Sequence, residues 1–569
     1  MQSKINMKNK YFLLLVPFLT LTSCWFFNKK ENEESKDDTN MGLKDEDKAY
    51  PGKSDLRYNE YLDNSDINKE KFYYNKNHNL NMPDPFVLKE GDTYYIYGTT
   101  DRLGSNGVDC YSTKDFNTYT LHQNIYKFEG WVKGGIFAVE IYKFNGTYYM
   151  YYSANDENGN RALNVATSNS PTGLFTDYVG QDSHGNNINL KQNKWLQDST
   201  IYAPLDQTLL VDDDGKIYLY YSVYHSGYEQ YIVGMEMSDP VTYDMSTRKV
   251  LVRPGKDSPD LPDNDITLKY DWEIMRGFWV AEGPCVIKSP INHKYYLTYT
   301  VNAYDEKAYT VCYAVSDAPL GDYHKPYDEN RNWSNLFFGY AGLSTKTNKV
   351  YRQWAGFHAG TGHHSIFKTG NDYMIVYHGW KNRGNPDNFD GRDTFIDRVY
   401  FDKDGVPYTV GPTYSPQPLP KEISGYDNVA LKAKIEVENV DNGEALIDNY
   451  VVEHYQLKGE DAKEATLKKG KSYIKLTFDK EYSLGGLLIY NSAFYSKITS
   501  GIEFINFKNG NAIFDPVFSE ELINDETEFV FPSSAFVFDF PEDFKASEMI
   551  ICVNTSEEVR LNEIYVMGK

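Results

Sequence analysis

Helical spacing of apolar residues is nearly absent between residues 80 and 415. Short apolar runs broken by turn residues take its place, and five of them repeat one pattern loosely. They read DPFVLKEGDTYYIYGTTD from Asp84, EIYKFNGTYYMYYSAND from Glu140, DQTLLVDDDGKIYLYYS from Asp206, EGPCVIKSPINHKYYLTYT from Glu282 and HHSIFKTGNDYMIVYHG from His363. Each is a short apolar strand, a turn containing Gly, Asn or Asp, and an aromatic-rich strand, which is the signature of a β-hairpin. The units start roughly 55 to 80 residues apart, leaving room for two more strands and a loop in each. Four-stranded units repeated around an axis make a β-propeller, and five units predict a five-bladed one. A β-sandwich of similar hairpins is the alternative.

The shared phase of one polar position favours the propeller. Every unit opens on an ionisable residue just before its first apolar run: Asp84, Glu140, Asp206, Glu282 and His363. The innermost strands of a propeller line its central channel, so equivalent positions are expected to meet at one end of the axis. Glu282 makes the point best. It stands in VAEGPCV, where an unused buried carboxylate would be costly. Carboxylates crowded together shift one another's pKa, a habit of catalytic and cation sites.

The pattern stops at VGPTYSPQPLPKEISGYDN, and a second β-rich unit runs from NVALKAKIEVENVDNGEALIDN to VRLNEIYVMGK. At the other end, Lys4, Lys8 and Lys10 precede the apolar run YFLLLVPFLTLTSC, too short for a stop-transfer helix and fitting a secretory signal. A charged stretch poor in apolar residues follows and reads as a solvated tether. The expected organisation is therefore all-β: signal 1–24, tether 25–72, propeller 73–415, linker 416–427 and a second β-rich domain over 428–569.

Composition sharpens this in three ways. A chain of 569 residues with 41% apolar residues is long enough for two or three cores. A net charge of −23 repels phosphates and argues against a nucleic-acid partner. The five cysteines have neither zinc-site nor disulfide spacing. Cys24 is set apart by its place at the end of the signal.

Paired carboxylates in a water-accessible pocket suit glycoside hydrolysis, where one neutral carboxyl protonates the departing oxygen and one ionised carboxylate activates water. The apolar neighbours of Glu282 favour its protonated form, which makes it the natural acid. Asp84 in NMPDPF is then the natural base, and Asp206 in APLDQTLLVDDDG fits a role in raising the acid's pKa.

These motifs, in this order, resemble glycoside hydrolase family 43 over residues 75 to 415. The resemblance implies a five-bladed propeller that inverts the anomeric centre, with Asp84 as general base, Asp206 as pKa modulator and Glu282 as general acid. Gly362, His363 and Ser365 match a family motif whose His lies near the axis and can join a calcium or water cluster. No cofactor is implied for catalysis. GRDTFIDRVYFDKDGVPY matches the closing segment and implies substrate contact by Arg392. The sequence departs from the family at GGIFAVEIY, where Phe137, Ala138 and Val139 replace Trp-Ala-Pro, and at Gln207, where a proline is usual. Phe137 can still stack on a sugar, with Glu140 beside it as a binding residue.

LTSC resembles the bacterial lipoprotein box, which implies lipidation of Cys24 and an exported, outer-membrane protein. The last unit resembles discoidin-like (coagulation factor type C) jelly rolls, which implies a β-sandwich that either binds glycans or braces its neighbour. The expected function is that of an inverting, exo-acting α-L-arabinofuranosidase or β-xylosidase on plant polysaccharide or oligosaccharide. A galactan- or fructan-type glycosidase on the same fold, and a non-catalytic glycan-binding lipoprotein, are the alternatives.

Overall fold

The computed structural model describes residues 43–48 and most of 67–569; the longest stretches outside the described residues are 1–42, 49–66, 340–359, 381–390, 452–463 and 515–534. Cys24 and Trp354 fall outside them. Among the described residues no helix is long and apolar enough to cross a membrane.

Five antiparallel units follow one another along the chain. Blade 1 is built from Phe86–Glu90, Thr93–Tyr97, Gly107–Thr113 and Thr120–Lys127, and blade 2 from Gly134–Phe144, Thr147–Asn155, Arg161–Ser168 and Thr176–Asp177. Blade 3 uses Tyr202–Val211, Ile217–His225, Glu229–Asp239 and Lys249–Val252. Blade 4 uses Phe278–Lys288, Tyr295–Val301, Thr310–Ser316 and Leu336–Gly339, and blade 5 Gly362–Thr369, Asp372–Trp380, Arg392–Phe401 and Pro407–Thr409. The first strand of each blade touches the first strands of the two neighbouring blades, and the series closes from blade 5 back to blade 1. The predicted five-bladed propeller is the observed architecture. Alternating faces of Tyr, Val, Leu and Ile fill the gaps between blades, for instance Tyr151, Leu219, Tyr221 and Val233 between blades 2 and 3.

One backbone device recurs in all five blades. Asp84, Ala138, Asp206, Gly283 and His363 have φ of 53°, 47°, 54°, 54° and 45°. In blades 2 to 5 the kink coincides with a shift of strand register, a β-bulge; in blade 1 it stands just before the strand. A positive φ on a non-glycine residue costs of order 1 kcal/mol or more and persists only where the surroundings impose it. The bulge twists the strand and re-aims side chains toward the axis.

Among the described residues no strand is exchanged between the first and last blades. Instead, the chain leading into blade 1 lies along blade 5. Asn75 accepts from the Ile396 amide at 2.9 Å, Thr394 N donates to Leu80 O at 3.0 Å, and Thr394 Oγ1 donates to Met82 O at 2.8 Å. Just upstream, Phe72–Tyr73 pairs with Gln417–Pro418.

The C-terminal unit is a two-sheet β structure stitched by one long strand, Gly470–Asn491. Its first half pairs with Lys434–Glu438 and Lys545–Thr555, its second with Ala535–Asp539 and Val559–Gly568, across a register shift between Thr477 and Tyr482. Tyr400, Tyr408 and Val410 of the blade 5 region share one apolar core with this unit. Lys71, buried, ties the same corner by bonding Gly485 O, Asp539 and Phe540 O. The solvated tether expected through residue 72 needs correcting at both described places. Asp45–Lys48 forms a helical turn whose Asp47 pairs with Lys475 at 3.0 Å, and Leu43 is buried against Tyr473, Phe504 and Cys552. Asp47 and Lys48 have partners on the C-terminal unit, and a single leucine has an apolar seat.

Candidate active site

Asp84 sits between two prolines at the blade 1 kink, where Gly98 passes so close that a Cβ there would lie 2.3 Å from Pro83 O. Its carboxylate is fully engaged. Thr99 Oγ1 donates to Oδ2 at 2.5 Å, Arg392 Nη1 donates to Oδ1 at 2.8 Å, and His363 Nδ1 lies 3.2 Å from Oδ1. Burial works against its charge. Arg392 first, and then His363, outweigh that and hold the carboxyl well below the usual carboxylate range. The Asp84 amide donates to His378 Nδ1 at 3.2 Å. With that nitrogen accepting, and with burial pulling its pKa down to about 4, His378 is a neutral imidazole.

Glu282 stands one residue before the blade 4 kink. Tyr309 donates to Oε1 at 2.7 Å and Gln230 Nε2 to Oε2 at 3.0 Å. Gln230 reaches it because Glu229–Gln230 of blade 3 pairs in parallel with Trp279–Val280 of blade 4. Burial first, and then the charge of Asp206, push the Glu282 carboxyl up to about 7. Asp206, at the blade 3 kink, is raised to about 7 by burial and by Asp84. Its backbone amide donates to Ser153 Oγ at 3.0 Å, and Gly283 N approaches Oδ2 at 3.4 Å. A side chain at Gly283 would be strained by its positive φ, and its Cβ would crowd the His363 ring at 3.1 Å. Asp84, Asp206, Glu282 and His363 are thus gathered at one end of the axis, as the shared phase predicts.

Glu140 is the exception. The blade 2 kink falls on Ala138, so Glu140 lies two residues further along its strand, level with Thr208, Cys285 and Ser365. It lines the floor of a narrow axial cavity, with Pro85, Gln207, Pro284 and His364. There Tyr142 donates to Oε2 at 2.6 Å, and burial pushes its carboxyl up to about 8. The expected ring of five ionisable groups is a ring of four residues plus one neutral carboxyl beneath it. His364 belongs to the same floor: it is buried, with Nε2 2.6 Å from Thr298 Oγ1.

Two arginine-capped aromatics stand near the carboxylates. Arg161 lies 5.1 Å from the ring centre of Phe137, and Arg392 5.0 Å from that of the half-exposed Tyr304. Of the tryptophans, Trp195 is core, while Trp131 is only partly buried and bonds Leu190 O.

Asp206, Glu282 and His363 bring one ligand atom each to within 4.8 Å of one another. That set offers calcium two carboxyl oxygens and a nitrogen, whereas calcium takes six to eight oxygens. Both Glu282 oxygens already accept hydrogen bonds, and His363 Nδ1 faces Asp84. The side chains do not fit a calcium cage, and no step below involves one.

Tyr309, Gln230, His378, Thr99 and Ser153 were not singled out by the sequence. His378 carried a signal, a lone imidazole inside the apolar strand MIVYHGW. The others carried none.

With this geometry in view, the comparisons with known proteins are direct. The model of Glycosyl hydrolases family 43 matches residues 78–407, and the chain belongs to that family. Among curated proteins, the chain is 22% identical over 170 residues to the extracellular exo-α-(1→5)-L-arabinofuranosidase ArbA of Cellvibrio japonicus, covering 28% of this chain and 46% of that one. It is 24% identical over 264 residues to the extracellular endo-α-(1→5)-L-arabinanase of Thermotoga petrophila, covering 43% and 50%. The chain thus spans half or less of the length of these relatives. A solved thermostable family-43 glycoside hydrolase is 27% identical, with a TM-score of 0.47, over 61% of this chain and 98% of that one.

Proposed function

We propose that the protein is an inverting glycoside hydrolase in which Asp84 is the base, Glu282 the acid and Asp206 the group that keeps the acid protonated. One observation carries this reading: two carboxyls at one end of the axis are driven in opposite directions, Asp84 toward the anion and Glu282 toward the neutral acid. In the reaction, Asp84 takes a proton from a water that attacks the anomeric carbon. Glu282 passes its proton to the departing glycosidic oxygen as the bond breaks. Arg392 holds Asp84 in place and in its charged form. Phe137 and Tyr304, at the carboxylate end of the channel, offer faces on which a sugar ring can stack.

The substrate class we assign is arabinose- or xylose-containing plant polysaccharide or oligosaccharide, cut from chain ends. The relatives named above support the sugar; one of them acts within chains, so the product pattern is part of the test. Export with a lipid anchor on Cys24 is the setting we assign to it, with the C-terminal unit bracing blade 5.

The deciding experiment compares Glu282→Ala and Asp84→Ala on substrates with good and poor leaving groups. Glu282→Ala retains far more of its activity on nitrophenyl arabinofuranoside or xyloside than on oligosaccharides, because a good leaving group needs little protonation. Asp84→Ala loses both. Equal losses on both substrate types would sink the assignment, and proton NMR showing initial retention would sink inversion.

A further inference from the structure

We propose that Tyr309 and His378 form a two-ring strut that sets the position of the acid relative to the base. The inference rests on the assignment of Glu282 and Asp84 made above.

The two carboxyls belong to blades 4 and 1, which are not neighbours in the ring; blade 5 lies between them. Among the described residues no strand pairing joins their two blades, so sheet register alone does not fix their separation. A continuous line of contacts does. Tyr309, buried just ahead of the blade 4 strand Thr310–Ser316, donates its hydroxyl to Glu282 Oε1 at 2.7 Å. Its ring lies against His378, with centroids 5.5 Å apart and planes 13° from parallel. His378, fully buried in the blade 5 strand Asp372–Trp380, accepts the Asp84 amide on Nδ1. Acid, phenol, imidazole and the backbone of the base thus form one rigid file across blade 5.

The seat for the phenol is built into the chain. Gly362 lies beneath it, and a Cβ there would come within 2.7 Å of the Tyr309 ring and 2.4 Å of Thr300. Stacked aromatic rings resist compression, as close-packed interiors do. In an inverting enzyme the carboxyl separation, roughly 6.5–9.5 Å, leaves room for the attacking water. A strut between acid and base holds that gap open.

The same contact grades the acid. Asp206 from blade 3 and His363 from blade 5 are the titratable groups facing Glu282, with Tyr224 of blade 3 also near; Gln230 and Tyr309 supply its hydrogen bonds. Asp206 and burial favour the neutral acid, and the two donors favour its anion. Tyr309 therefore does two jobs, one through its oxygen and one through its ring, and substitution can separate them.

Tyr309→Phe removes only the oxygen. The basic limb of kcat/KM on nitrophenyl arabinofuranoside or xyloside moves up by about one pH unit, because the anion loses a donor. Oligosaccharide turnover falls about tenfold further than nitrophenyl turnover, with KM little changed. Tyr309→Leu removes the ring as well, and the loss extends to the nitrophenyl substrates. His378→Phe, which keeps the stack, recovers part of the activity lost in His378→Ala. Melting curves identify any variant that is merely unfolded, and Tyr309→Phe, which loses one atom, decides the matter alone if Tyr309→Leu does not fold.

Difference infrared titration of the Glu282 carboxyl, assigned by its disappearance in Glu282→Gln, reads the same shift without any substrate. A titration unmoved in Tyr309→Phe, or Tyr309→Leu no worse than Tyr309→Phe on nitrophenyl substrates, would overturn the strut. A basic limb that survives in Glu282→Gln would instead overturn the acid assignment.

Discussion

The corner around Asp84 and the corner around Glu282 are both shielded from water, yet one favours the anion and the other the neutral acid. Asp84 is surrounded by Arg392, His363 and Thr99; Glu282 has a phenol, an amide and the carboxyl of Asp206. Burial penalises both anions. What separates them is the sign of the nearest charge: a guanidinium outweighs desolvation at one corner, and a second carboxyl reinforces it at the other. Desolvation pushes both carboxyls up; at Glu282 it sets the direction and Asp206 adds to it, while at Asp84 the cationic neighbour reverses it.

The strongest way to break this contrast is to remove the guanidinium. Arg392→Met leaves Asp84 buried with only imidazoles beside it, so its carboxyl rises and the acidic limb of the pH–rate profile moves toward neutral pH. The expected loss in kcat/KM is on the order of 100-fold or more, on good and poor leaving groups alike. Steady-state kinetics across pH measure both.

Asp206→Asn attacks the other corner and has a smaller effect. Without the neighbouring carboxylate, the Glu282 carboxyl falls below about 7 and the basic limb moves down by about one pH unit. A basic limb that stays in place would mean that burial alone sets the acid.

Glu140→Gln sharpens the comparison from outside the catalytic group. In the folded protein burial pushes its carboxyl up to about 8, far above the ordinary glutamate range, so folding favours the protonated form. Stability falls as pH rises from about 4.5 through about 8, because the unfolded chain ionises first. The amide variant is free of that penalty. Its melting temperature at pH 8 exceeds that of the parent by roughly 3 °C, the difference vanishes near pH 4, and kcat/KM changes little.

These environments explain what could be read from the chain and what could not. The five hairpins were legible because strand, turn and aromatic strand recur in order, and Asp84, Asp206 and Glu282 were legible because each precedes an apolar run. The level of Glu140 was not. Blade 2 places its kink on Ala138, a residue with no special tolerance for positive φ, and nothing in IFAVEIY marks the bulge. Blade 4 hides the same offset more gently, because its kink falls on Gly283 and Glu282 is only one residue away. Tyr309 is one of 50 tyrosines, and its partner lies in another blade. Contacts of that kind depend on the closing of the ring and leave no local trace.

That closing has a consequence in time. Asp84 is made early, in the first blade, while Arg392, His363 and His378 are made last, in the fifth. All three meet Asp84 across the seam, and the Asn75–Met82 segment fastens the same seam. A ribosome that has delivered four blades has delivered an acid with its phenol, amide and carboxyl partners, but a base with no cation. The catalytic pair therefore matures in two stages, and the first moment at which the protein can work is the moment its ends find each other.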